Sequence, residues 1–351
     1  MRGKIISLLI VGLLFFGLSG MVWADEFTLP MIYGNTVVCT ESDIPDTARD
    51  AIIVYDISSK QKKIITTGMG FNQNYHNDYS ISGSKVVFTS MAQAKQVAPR
   101  DIYLYDAGSG AMKNLTNTPD VWEMYPNISG NQIVYGATSP DAPNNYHIVL
   151  QNIDTGDQQQ ITGQDPKQRA IYNDIDPVIC TGYIVWTRVI LPSEDRKIMA
   201  YNLSTKAVKV LDSRNKDGYL SYLRGNQNFV VWRRLVKSGG ENYWQIVLYN
   251  LSNSTATNVI SRKMDDYGVG APDVYSLRGN PTVTWSESIN TTQPTQYQIC
   301  YKVGTGGSIV KVDSNNIVKS YPSIYGSKIA YRRAGDIYLY DTGTKVRQKI
   351  I

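Results

Sequence analysis

Tyr125-Pro126-Asn127-Ile128-Ser129-Gly130 is followed by Gln132-Ile133-Val134-Tyr135, a polar stretch, His147-Ile148-Val149-Leu150, a turn at Asp154-Thr155-Gly156, and Gln160-Ile161-Thr162. Each apolar run is short and rich in β-branched and aromatic residues. Each is bounded by Gly, Asn, Asp or Ser, so the segment reads as four strands joined by tight turns.

The pattern recurs along the chain. A glycine after the first strand stands at Gly34, Gly83, Gly130, Gly182, Gly225, Gly279 and Gly326, with spacings of 43 to 54 residues. Second strands follow, among them Val86-Val87-Phe88, Ile184-Val185-Trp186, Val230-Val231-Trp232 and Ile329-Ala330-Tyr331. Third strands include Ile102-Tyr103-Leu104-Tyr105 and Ile337-Tyr338-Leu339-Tyr340. Four strands in fewer than about 50 residues, repeated around the chain, is the signature of a propeller blade. Several strands are apolar on both faces, as expected where each sheet is packed between two others. The sequence therefore predicts an all-β fold, a seven-bladed β-propeller of four-stranded antiparallel blades, over residues 25–351 as one domain. The first blade opens on a first strand and the last ends on a fourth. The ring is expected to close by side-chain packing without an exchanged strand; the alternative is Glu26-Phe27 pairing onto blade 7.

Residues 1–24 read as a cleaved signal peptide. Arg2 and Lys4 precede an apolar run from Ile5 to Gly17, and Val22-Trp23-Ala24 supplies the cleavage site. No later stretch is apolar enough to span a membrane, so the expected location is secreted, periplasmic or cell surface. The formal net charge is +5. Without the two leader cations it is too weak for a nucleic-acid footprint. Two His and three Cys leave little for a metal or general-base site. The run Gly304-Thr305-Gly306-Gly307 lies in a hairpin with no helix after it, so it is no phosphate loop. No cofactor is expected. Tyr is abundant, 25 against 6 Phe.

Pro-x-Ile-Ser-Gly, then Ile-Val-Tyr/Trp, then Asp-Ile-Tyr-Leu-Tyr-Asp at Asp101–Asp106 and Asp336–Asp341, resembles the TolB-like β-propeller repeat. The form is similar to that found in tandem in secreted and surface-layer proteins. The resemblance covers the whole of 25–351, without the extra N-terminal domain of true TolB. It implies a fold and no particular ligand.

Within each blade, the turns after strands one and three share one face of the disk, and the longer connections share the other. Asp56, Asp106 and Asp341 read as turn formers on the short-turn face. The opposite face has dissimilar loops and aromatic residues, which favour contact surfaces. The candidate binding residues are Trp122, Tyr125, Tyr172, Tyr219, Arg233, Arg234, Trp244 and Tyr267. Asp78, Glu123, Asp174 and Asp176 precede or open first strands and are weak candidates for a channel cation. Cys39, Cys180 and Cys300 fall on different blades, too far apart for disulfides, and read as buried thiols. Six Asn-x-Ser/Thr sequons occur, at Asn114, Asn127, Asn202, Asn250, Asn253 and Asn290; in a secreted chain they are glycan-site candidates, with Asn290 in the longest blade 6 loop the best of them. The function expected is that of a secreted or cell-surface, non-enzymatic binding scaffold for a protein or surface polysaccharide, working through its loop face. Two alternatives stand beside it. One is a glycan hydrolase or lyase with Asp174, Asp176 and Glu123 at the channel mouth. The other is a self-associating envelope protein.

Overall fold

The computed structural model describes residues 26–42, 51–66, 78–90, 99–264, 268–288, 297–312 and 317–351. These form 28 strands, β1–β28, in seven four-stranded antiparallel sheets. The blades run 26–64, 79–114, 123–160, 172–214, 220–263, 273–311 and 319–349, each built from four consecutive strands. The innermost strands are β1 (Glu26–Tyr33), β5 (Tyr79–Ser82), β9 (Glu123–Ser129), β13 (Tyr172–Cys180), β17 (Leu220–Asn226), β21 (Asp273–Leu277) and β25 (Lys319–Tyr325). A one-and-a-half-turn helix, α1 (Pro166–Ile171), and a 3-10 turn at Lys216–Gly218 sit in connections between blades.

The prolines of the repeat mark a bulge. In blades 1, 3, 4, 5 and 7 the inner strand slips register once, and one residue takes positive φ: Leu29, Tyr125, Asp176, Tyr222 and Tyr321. Four of the five precede Pro30, Pro126, Pro177 and Pro322. A residue before proline is kept out of the right-handed helical region, and bulge residues are unpaired, so proline forfeits no ladder bond there. The left-handed conformation costs each of these residues roughly 1–2 kcal/mol.

The residue after the proline, or Ser80 after Tyr79 at the same place in blade 2, ties one blade to the next. The Asn127 amide oxygen accepts from Ile179 N–H at 2.9 Å, and Asp273 accepts from Ile324 N–H at 2.9 Å. Ser80 Oγ accepts from Ile128 N–H at 3.4 Å, and Ser323 Oγ accepts from Ile32 N–H at 3.3 Å across the seam between blades 7 and 1. Outside this ring of bonds lie seven hydrophobic clusters, one at each blade interface. Phe88, Tyr135, Trp186, Trp232, Trp285 and Tyr331 occupy one equivalent, fully buried position in six blades, and Cys39 holds it in blade 1.

The ring closes without an exchanged strand. Glu26 and Phe27 pair with Ser42 and Glu41 of their own blade, which removes the alternative of an added strand on blade 7. The seam is held by the Ser323 bond, by Lys328 Nζ donating to Asn35 Oδ1 at 3.1 Å, and by a cluster including Ile32, Ile53, Ile337 and Leu339. The turn aspartates act as expected. Asp106 Oδ1 accepts from the Gly108 and Ser109 N–H groups, Asp341 Oδ1 from Gly343 and Thr344, and Asp56 Oδ1 from Ser59. Those donors hold the three carboxyls below the usual carboxylate range.

One turn assignment needs correction. In blade 5 the residue at the turn is Gln227, with φ of 52°, and Gly225 lies inside β17 opposite Val230. Gly225 is needed for close approach. A Cβ there would meet Cys180 Sγ at 2.6 Å, and Thr181 N–H donates directly to Gln227 O at 2.9 Å across this interface. Gly225→Ala is expected to destabilise the fold by about 1–3 kcal/mol through overpacking. Adding Cys180→Ala should recover part of the loss, as read by urea denaturation; a neutral Gly225→Ala would refute the packing described.

All three cysteines are free and buried. Burial raises each thiol above its ordinary value, Cys180 to about 12. A disulfide-exchange reagent at pH 8 should find no reactive thiol in the native protein and three after unfolding without reductant. Fewer than three on unfolding would contradict the blade assignments.

Candidate functional site

The loop-face candidates are held within the fold. Trp122 stands just before β9 and is half-buried, with the Arg100 guanidinium 5.9 Å from its ring. Tyr125 is buried and packs edge-on against Tyr146. Tyr172 lies under Arg188 at 4.3 Å. Arg233 is sandwiched between Tyr222 at 4.5 Å and Trp244 at 4.2 Å, and donates to Val269 O and Ser221 Oγ. Arg234 donates to Asp212, Gln245 and Asn258. Tyr219 is 43% exposed beside Arg196. Tyr267 lies outside the described residues, as does His76.

Three of the connections read as long loops, Gly136–Asn145, Thr187–Asp195 and Arg233–Asn242, are largely strand. Blades 3, 4 and 5 extend their second and third strands into tight hairpins, so that Ser139 pairs with Ala142, Ile190 with Asp195 and Ser238 with Glu241. Arg233, Arg234 and Trp244 are therefore ladder residues. The corresponding loops of blades 1, 2 and 6 fall largely outside the described residues.

The acidic candidates do not converge. Asp174 makes a two-pronged ion pair with Arg188, at 2.7 and 2.8 Å. Glu123 accepts from Thr118 Oγ1 and, at 3.3 Å, from Thr116 Oγ1. Asp176 sits on the blade 4 bulge and Asp78 is buried beside β5. Among the described residues no three His, Cys, Asp or Glu side chains are grouped to hold a metal. Glu123 is 2% exposed. Burial pushes its carboxyl up to about 8, the threonine hydroxyls oppose the rise, and Asp101 adds to it. His147 goes the other way: burial and then Arg169 pull it down to about 4, and its Nδ1 has no hydrogen-bond partner.

A feature that the sequence reading did not single out lies on the channel. A cavity of about 120 Å³ is lined by six of the seven inner segments, among them Leu29, Ser80, Asn127, Arg224, Asp273 and Tyr321. Burial lowers Arg224, while the carboxylates of Asp273 and Asp176 hold it up. At the short-turn end stand Tyr33, Tyr275 and Tyr325, half-buried, with Tyr325 between the other two at centroid distances of 4.3 and 4.7 Å and ring planes tilted by 38° and 53°. Burial and the neighbouring hydroxyls of Tyr33 and Tyr275 raise Tyr325 to about 12. The signal was present. Tyr33 and Tyr325 directly precede Gly34 and Gly326, where blades 2 and 3 carry Ser82 and Ser129.

No family model matches this chain, and no curated protein matches it in sequence. Solved structures match its fold. A prolyl endopeptidase aligns over 93% of this chain and 49% of its own, 10% identical, with a TM-score of 0.66. The β-propeller domain of the trilobed protease from Pyrococcus furiosus, described as having an open velcro topology, aligns over 93% and 95%, 11% identical, with a TM-score of 0.63. TolB from Acinetobacter baumannii aligns over 69% and 55%, 16% identical, with a TM-score of 0.45. The chain spans about half the length of the whole peptidases it matches. The seven-bladed propeller fits the TolB-like resemblance of the repeat, and no sequence match carries that resemblance further. The expectation of a non-enzymatic binding scaffold is corrected by these likenesses, which point to peptidase-related propellers. At such low identity what is shared is the fold.

The Glu123 shift generates a test. A raised carboxyl favours the folded state fully below its ordinary value of 4.5, and that contribution is lost as pH rises through about 8. The stability of the wild type relative to Glu123→Gln should therefore fall between pH 5 and 9 in parallel denaturant titrations. His147 is common to both chains and cancels. A difference that grows with pH would refute the assignment.

Proposed function

We propose that this propeller serves peptide hydrolysis by receiving the end of an extended peptide at the tyrosine-lined mouth of its channel. The observation that carries the reading is the pairing of that mouth with a narrow cavity behind it. Tyr33, Tyr275 and Tyr325 offer flat faces on which amide planes and side chains stack. The cavity of about 120 Å³ accommodates one residue-sized group. A folded domain cannot enter it. Its walls carry hydroxyl, amide, guanidinium and carboxylate groups, which suit the polar backbone of a peptide. The likeness to peptidase propellers supplies the substrate class.

The test uses fluorescently labelled, unstructured oligopeptides, with stably folded proteins as controls. The peptides should bind and the folded proteins should not. Tyr275→Ala should weaken peptide binding at least tenfold, or about 1.4 kcal/mol. Tyr219→Ala, on the loop face, should leave it unchanged. Equal binding of folded proteins, or an inert Tyr275→Ala, would refute the reading. Mass spectrometry of the incubated peptides shows in the same experiment whether the chain itself cleaves them.

A further inference from the structure

We infer that Asn253 is an acceptor for an N-linked glycan, an inference that rests on the leader reading of residues 1–24. The fold separates the sequons by what their side chains already do. Asn114 Nδ2 donates to Asp101 Oδ2 at 2.8 Å and to the Tyr103 hydroxyl at 3.3 Å. Asn127 belongs to the inter-blade ring, donating to Ser80 Oγ at 3.2 Å and accepting from Ile179 N–H. A sugar on Asn114 would take one of the two hydrogens its nitrogen donates, and at Asn127 it would have to enter the bonded contact between blades. Asn202 and Asn250 cap their hairpins through the amide oxygen, as Asn253 does, but they are half-buried strand ends where Asn253 is exposed. Asn290 lies outside the described residues.

Asn253 differs. It stands exposed at the tip of the outer hairpin of blade 5, and no hydrogen bond engages its Nδ2. Its Oδ1 accepts from the Thr255 hydroxyl at 2.7 Å and from Thr255 N–H at 3.2 Å. Both bonds draw electron density toward the oxygen and make the amide nitrogen easier to deprotonate. Beside it runs a polar groove of about 360 Å³ between blades 5 and 6, lined in part by Asn250, Thr257, Asn280 and Thr305. That lining suits the hydroxyls of a first sugar residue.

The donor class is a lipid-pyrophosphate-linked oligosaccharide. A bond forms from Asn253 Nδ2 to the anomeric carbon, and the bond from that carbon to the pyrophosphate oxygen breaks. The pyrophosphate leaves with the electron pair, and the amide loses one proton.

The full chain with its own leader is expressed in a host whose secretory compartment carries oligosaccharyl transfer, and intact masses are compared before and after glycan-releasing amidase. Asn253→Gln and Thr255→Ala should each lose one glycan mass, Thr255→Ser should retain it, and Asn250→Gln should leave it in place. An unchanged mass in Asn253→Gln overturns the inference. So does a chain found inside the cell with its leader attached, an outcome that fractionation assigns to the leader reading and that leaves peptide binding at the channel untouched.

Discussion

Each blade is apolar on both faces, and it can hide that surface from water only by standing between two neighbours. Seven clusters, one per interface, are the result. No blade has a core of its own. The aromatic position shared by Phe88, Tyr135, Trp186, Trp232, Trp285 and Tyr331 therefore belongs to the interfaces, not to the sheets that carry it. Emptying such a site typically costs about 3–5 kcal/mol, and in a closed ring the loss falls on two blades at once. The inner hydrogen bonds that Ser80, Asn127, Asp273 and Ser323 accept from the next blade tie those faces together at the channel. Where that ring is interrupted the chain substitutes something else. Val178 has no polar atom to offer blade 5, and there Gly225 lets the backbones approach until Thr181 bonds Gln227 directly.

The polar interior follows from the same geometry. Inner strands present their edges to the channel, so backbone donors and the bulges face inward together. A bulge residue before proline has few conformations open to it, which makes the channel wall rigid at Leu29, Tyr125, Asp176 and Tyr321. Rigid walls keep Arg224 beside Asp176 and Asp273 without a flexible loop to hold them. The loop face is built differently: Arg188 on Tyr172 and Arg233 between Tyr222 and Trp244 lock aromatic groups that would otherwise be open for contact.

Architecture was legible because the repeat states it seven times over. Blade number, strand order and the turn aspartates all come from local chemistry that recurs. What did not recur was harder to read. Gly225 looked like a turn glycine because spacing alone placed it there, whereas the space beside Cys180 is what requires it. The segments from Arg233 to Asn242 and from Thr187 to Asp195 read as loops because charged residues, Pro192 and Gly239-Gly240 interrupt them. They are hairpin extensions of the second and third strands. Trp244 and Arg233 were singled out as separate contact groups, and their attraction to each other could not be seen without the register that sets them side by side. The tyrosine mouth was missed because its members are far apart in sequence: Tyr275 and Tyr325 meet where blades 6 and 7 pack, and Tyr33 joins them only when the ring closes.

That last point ties the candidate site to the seam. Tyr33 belongs to blade 1 and Tyr325 to blade 7, and their rings touch across the one interface that no connecting segment bridges. The pair therefore has two effects that a single substitution would mix. Truncating either ring removes part of the mouth and part of the contact that keeps the ring shut. Tyr275 stands on blade 6, one interface away from the seam, and touches the same stack from its other side. The three residues thus separate closure from recognition. A ligand that stacks on Tyr275 and Tyr325 also bears on the Tyr33–Tyr325 contact, and anything that binds the closed ring but not the open one stabilises the closed ring by mass action. A propeller without an exchanged strand has placed its aromatic mouth against the interface most in need of that stabilisation.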